Sequence, residues 1–203
     1  MGLIVNLSGV DGSGKTTTAK LVMERLKKSG VEVTYHHELD FFMLKLMFKI
    51  SAILFGYSTS ENLREKALVG IDEGTFRWRY LYYLFILLDS FFTYTYFKLR
   101  KGIVIYDRWI YDLTTIFDHK HCNNPLLYKL YLGFPRPDVM ILLTVSPEIA
   151  FQRKRDDISH VMHDLRYYET MQNRMLELSL QCKCDGVIDS NRAKDEVADE
   201  VLT

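Results

Sequence analysis

Four residues could together carry a reaction: Lys15, Thr16, Asp107 and Arg108. Lys15 and Thr16 sit in the run Gly9-Val-Asp-Gly-Ser-Gly-Lys-Thr-Thr17, which fits the P-loop pattern G-x-x-x-x-G-K-[ST] with Gly12 as an extra glycine. Glycines permit backbone angles that a side chain forbids. The loop Gly9, Val10, Asp11, Gly12, Ser13, Gly14 can therefore turn its N–H groups inward around a phosphate. A helix starting at about Lys15 adds its unpaired N–H groups, Thr17 among them, and its positive dipole end to the same anion site. Lys15 would reach the β- and γ-phosphates, and the Thr16 hydroxyl would ligate Mg²⁺. The chemistry implied is phosphoryl transfer.

Gly102-Ile-Val-Ile-Tyr-Asp107-Arg108 is an apolar run ending in an acid and a base. Asp107 can hold Mg²⁺ or its water, or accept a proton from an attacking hydroxyl. Arg108 can grip a phosphate by its planar fork. Asp11 puts a carboxylate inside a cradle built for anions. It serves either as a metal or acceptor ligand or as an Asx-turn residue of the loop. Arg153-Lys154-Arg155 ends a helix, and phosphoryl transfer needs cations over the migrating group and exclusion of water. A lid is expected over about 151–165, with Arg153 or Arg155 swinging in. Asp118-His119-Lys120-His121-Cys122 lacks the second ligand cluster of a zinc site, so no zinc is expected.

The elements that must position these groups alternate strand and helix. Strands are expected at 3–8, 31–36, 103–106, 139–145 and 187–189. Helices are expected at 16–29, 41–55, a long stretch of roughly 61–100 broken near Gly70 or Gly74, 111–119, 125–132, 148–155, 164–182 and 194–202. Strands separated by helices imply a parallel sheet covered on both faces: a three-layer α/β/α fold with five parallel strands. Ligands in such sheets sit beyond the carboxyl ends of the strands.

A chain of 203 residues suits one domain over 1–203. Zero net charge gives no reason for a nucleic-acid partner, and three cysteines point to a reducing, cytoplasmic setting without a disulfide framework. The first residues have no basic n-region or cleavage site, so no signal peptide is expected. Residues 80–99 are long enough for a membrane span, but Asp89 near the centre and five tyrosines favour a buried helix lining a pocket. The aromatic surplus there and in 41–55 keeps a homodimer interface open, with peripheral membrane contact as the lesser alternative.

The chain resembles the thymidylate kinase family of nucleoside monophosphate kinases over nearly its full length. The matching residues are Gly9 to Thr17, Asp107-Arg108-Trp109, Pro137 to Arg153, and Val187-Ile-Asp-Ser-Asn-Arg192. The resemblance implies ATP as donor, Mg²⁺ as metal and dTMP as leading acceptor. It implies that Asp11 faces the acceptor sugar, Arg108 grips the acceptor phosphate, Arg153 lies by the adenine or the lid, and Asn191 and Arg192 lie beside the adenine. Two places depart from the family's pattern. His36-His37-Glu38-Leu39-Asp40 stands where the family has an Arg-Glu-Pro turn, and Asp89-Ser90 falls in the helix where it carries an arginine. Candidate acceptor-side groups are therefore Glu38, Asp40, Arg77, Arg79, Tyr83 and Asp89, with Phe76, Trp78 or Tyr82 available to stack on a base. A kinase for another small acceptor, and a nucleotide-binding accessory protein, are the alternative readings.

Overall fold

The computed structural model describes residues 1–37, 76–119, 125–155 and 163–203. Glu38, Asp40, the expected helix at 41–55, the expected break near Gly70 or Gly74, Lys120 to Cys122 and 156–162 of the expected lid lie outside the described residues. So do the side chains of 76–82, Arg77 and Arg79 included, and of 116–119.

Five strands are described: β1 (Leu3–Ser8), β2 (Val33–His37), β3 (Ile103–Asp107), β4 (Val139–Thr144) and β5 (Gly186–Asp189). All pair in parallel, in the order β2-β3-β1-β4-β5. The helices are α1 (Lys15–Lys28), α2 (Phe76–Leu99), α3 (Asp112–His119), α4 (Pro125–Leu132), α5 (Pro147–Arg155), α6 (Leu165–Gln181) and α7 (Lys194–Val201). This is the expected three-layer α/β architecture.

Side chains alternate across a strand, so each strand feeds two cores. Ile4, Val104, Tyr106, Met140 and Leu142 face one core, shared with Ile86 and Phe97 of α2 and Met171, Met175 and Leu178 of α6. Leu7, Val33, Ile105, Ile141, Leu143 and Ile188 face the other, shared with Ala19 and Val22 of α1 and Val197 and Ala198 of α7. The near-continuous apolar strands follow from burial on both faces.

The second strand starts at Val33, two residues later than expected. Val31 still belongs to the end of α1: Gly30 at φ 79° lets the Val31 N–H reach Leu26 O at 3.1 Å and its own N–H reach Lys27 O at 3.0 Å.

The aromatic helix α2 is buried on one side only. Asp89 is 1 % exposed, whereas Leu84, Leu88, Phe91, Phe92, Tyr96 and Leu99 stand exposed. No described helix is long and apolar enough to cross a membrane.

Candidate active site

The register brings the chemistry to one edge. Leu7 pairs with Asp107, and His37 pairs with Asp107. The carboxyl ends of β1, β2 and β3 therefore open together where the loop 9–14 turns into α1.

The loop is shaped by close approach. A Cβ on Gly12, whose φ is +86°, would lie 2.7 Å from Ala150 O, so α5 packs directly against the loop. A Cβ on Gly9 would lie 2.5 Å from Leu143 O. Helix α1 has Gly14 at its N-cap and no side chain caps it, which leaves first-turn N–H groups for an anion.

Lys15 is 6 % exposed and its Nζ donates to Val10 O at 2.8 Å. Burial lowers its pKa to about 8, and the neighbouring Arg108 guanidinium adds to the effect. An arriving phosphate would add negative charge beside the ammonium.

Asp107 is 1 % exposed. Its Oδ2 accepts from Thr16 Oγ1 at 2.6 Å and from Tyr35 OH at 2.7 Å. Its Oδ1 has no hydrogen-bond partner among the described residues.

Arg108 follows at φ 69°, a left-handed conformation that a non-glycine residue holds at a cost of about 1–3 kcal/mol. Its N–H donates to Leu7 O at 3.0 Å, which extends the β1–β3 ladder by one rung. Its guanidinium forms a salt bridge with the Asp11 carboxylate. Asp11 is thus held by the cation beside it.

A third carboxyl lies beneath the loop. Asp112 is 1 % exposed, and its Oδ1 accepts from Ser8 Oγ at 2.8 Å. Ser8 Oγ in turn accepts from Asn6 Nδ2 at 2.7 Å. Burial pushes the Asp112 carboxyl up to about 6, against the pull of Arg108.

These groups surround two adjoining cavities. One, of about 330 Å³, is lined by Asp11, Gly12, Gly14, Lys15, Thr16, Thr17, His37, Asp107, Arg108, Arg153 and Lys154. The other, of about 230 Å³, is lined by Ser13, Gly14, Thr17, Thr18, Arg153, Ser190, Arg192, Lys194 and Val197. Arg153 lines both, and donates to Gly12 O at 2.9 Å and Ser190 O at 3.3 Å.

Most of the expected residues converge here, in three kinds of place. Gly9 and Val10 shape the loop rather than line a cavity; Val10 offers the carbonyl that holds Lys15. Arg192 lines the smaller cavity and pairs with Glu200. Asn191 is turned to structural use: its Oδ1 accepts from Ser146 N at 2.9 Å and its Nδ2 donates to Asp189 Oδ1 at 2.7 Å. Lys154, rather than Arg155, lines the larger cavity. No described side chain of α2, Tyr83 and Asp89 included, lines either one.

Sequence reasoning missed Tyr35, His37, Ser190 and Asp112. The first two sit at the end of β2, on the strand edge that a parallel sheet gives to ligands, and that position was a usable signal. Asp112 had none, because its burial depends on how α6 packs.

An uncapped helix start, a buried lysine and a carboxylate that accepts from two hydroxyls, gathered on one cavity, fit a P-loop phosphotransferase. The thymidylate kinase family model matches residues 7–201. A probable thymidylate kinase of Sulfolobus acidocaldarius is 24% identical over 202 residues, covering 97% of this chain and 93% of the relative. A thymidylate kinase of Xylella fastidiosa is 25% identical over 209 residues, covering 99% and 85%. One from Caenorhabditis elegans is 28% identical over 155 residues, covering 75% and 67%. The chain belongs to the thymidylate kinase family and is a divergent nucleoside monophosphate kinase.

Proposed function

We propose that this chain transfers the γ-phosphoryl group of ATP to dTMP, giving dTDP. The supporting observation is the convergence on one cavity of the open α1 start, Lys15, the Thr16–Asp107 pair and Arg108, in a chain matched by the family from 7 to 201.

In this reading the loop amides and α1 receive the β- and γ-phosphates. The Lys15 ammonium leaves Val10 O for them. The adenosine end extends past Arg153 toward Arg192 in the smaller cavity. Arg108 orients the acceptor phosphate opposite the γ-phosphoryl, and Asp11 sets the angle of that guanidinium. The attacking group is a phosphate-monoester oxygen, already largely ionised near pH 7, so Asp107 is not needed as a base. Lys154 and Arg153 add positive charge at the rim where negative charge migrates.

The Thr16 hydroxyl and the Asp107 carboxylate fit Mg²⁺, because Asp107 Oδ1 is buried with no hydrogen-bond partner among the described residues. When bound there, Mg²⁺ would neutralise charge on the phosphate oxygens and hold them in line. In the same reading the chain is a single cytoplasmic kinase domain that assembles as a homodimer. The exposed residues of α2 recur at helical spacing from Leu84 to Leu99, which supports an assembly face.

The test is ADP release with dTMP against a panel of other nucleoside monophosphates, nucleosides and sugars. The expected outcome is the highest kcat/KM with dTMP. Turnover of a non-phosphorylated acceptor with none of dTMP would replace the acceptor and leave the donor site standing.

A further inference from the structure

We infer that Tyr35 is a positioning residue for the metal-binding carboxylate: its hydroxyl, together with that of Thr16, commits one oxygen of Asp107 to the protein and reserves the other for the cation. The inference rests on the phosphotransfer reading above.

The geometry comes from three elements. In β2, Tyr35 pairs in register with Ile105, and His37 pairs with Asp107. Residues two apart on a strand share a face, so Tyr35 and Asp107 lie on the side of the sheet that α1 covers. Tyr35 packs there, half-buried, against the core that includes Ile105 and Ala19. Its hydroxyl donates to Asp107 Oδ2 at 2.7 Å. Thr16, in the first turn of α1, reaches the same atom at 2.6 Å.

A carboxylate oxygen has two lone-pair sites, and both on Oδ2 are taken. Hydroxyl-to-carboxylate bonds of this length are at the strong end of the range. The carboxylate plane is therefore set by two donors on separate elements. Oδ1 remains buried without a hydrogen-bond partner among the described residues, which is unfavourable in a folded protein until something charged or protic meets it. A single donor from Thr16 would leave the carboxylate free to rotate about its own axis. The second donor removes that freedom. Tyr35 thus stands one bond away from the cation, and partners of that kind typically contribute tenfold or more to metal affinity or activity.

Tyr35→Phe deletes the hydroxyl and keeps the ring in the core. Manganese replaces magnesium as the probe, with free Mn²⁺ followed by electron paramagnetic resonance during titration of the full-length protein with ADP present. The variant is expected to bind Mn²⁺ about tenfold more weakly in the ADP complex. Its half-saturating metal concentration for turnover should rise in step. Affinity for metal-free ADP and dTMP KM should stay as in the wild type, and circular dichroism should show the fold retained, with the melting temperature lowered by the one lost hydrogen bond. Mn²⁺ affinity within twofold of wild type would overturn the inference. So would an equal loss of metal-free ADP affinity, which is the mark of a purely structural role. A wild type that takes up no Mn²⁺–ADP at all would instead fail the phosphotransfer reading, and the role of Tyr35 would fall with it.

Discussion

Arg108 donates to the Asp11 carboxylate, tying the end of β3 to the phosphate loop. The two residues are 97 positions apart in sequence. The left-handed φ of 69° at Arg108 turns the chain sharply at the end of the strand. The arginine proposed to orient the acceptor phosphate is thereby held by an internal carboxylate.

Removing this pair should separate acceptor from donor. Arg108→Ala is expected to lower kcat/KM for the acceptor by about 10²–10³, the loss typical of a preorganised charge at the transferring group. KM for ATP should change far less. Asp11→Ala should raise acceptor KM by about tenfold, because the guanidinium loses its hold. A double-mutant cycle read by ADP release should show strong non-additivity between the two positions.

Lys15→Ala should reduce transfer by at least about 10³ while leaving the fold intact. The melting temperature should not fall, because the ammonium is buried and Val10 O keeps a second donor, Ser13 N at 3.1 Å. Circular dichroism and ADP release on the same preparation check both halves.

Asp112 gives a pH signature. Its carboxyl stands at about 6 in the folded chain against 3.8 ordinarily. Between those values the folded chain holds a proton that the unfolded chain has released. Stability from this group therefore increases as pH falls from about 6 to about 4, and above pH 6 the buried charge costs about 3 kcal/mol. Asp112→Asn keeps an acceptor for Ser8 and removes the charge. Its melting temperature should exceed that of the wild type by about 5–10 °C at pH 8, and the difference should shrink at pH 5. Parallel thermal melts at the two pH values decide it.

Gly12→Ala would place a methyl group 2.7 Å from Ala150 O at a φ of +86°. The loop and α5 must separate, taking Arg153 with them. A loss of about 2–3 kcal/mol in stability and a rise of at least about tenfold in ATP KM are expected. Denaturant unfolding and initial rates measure these.

How far the sequence was legible follows from what is local. The strand–loop–helix at the start is written in neighbouring residues, so Gly9 to Thr17 could be read in advance, as could Asp107 and Arg108 at the end of an apolar run. Strand alternation and helix spacing gave five strands within two residues of where they lie. What escaped depended on distant packing. Tyr35 matters through a strand paired 72 residues away. The hydrogen bonds of the Asn191 amide to Ser146 and Asp189 exist only once β4 and β5 are paired. Of the expected pair, Arg153 lines both cavities and Arg155 lines neither, and the packing of α5 against Gly12 behind this is a contact that no run of residues announces.

Arg153 spans the wall between the two cavities, bonded on one side to the carbonyl of Gly12 and on the other to that of Ser190. Any ligand that fills both compartments must therefore lie against this one side chain. Moving that side chain would open the two compartments to each other at a single point.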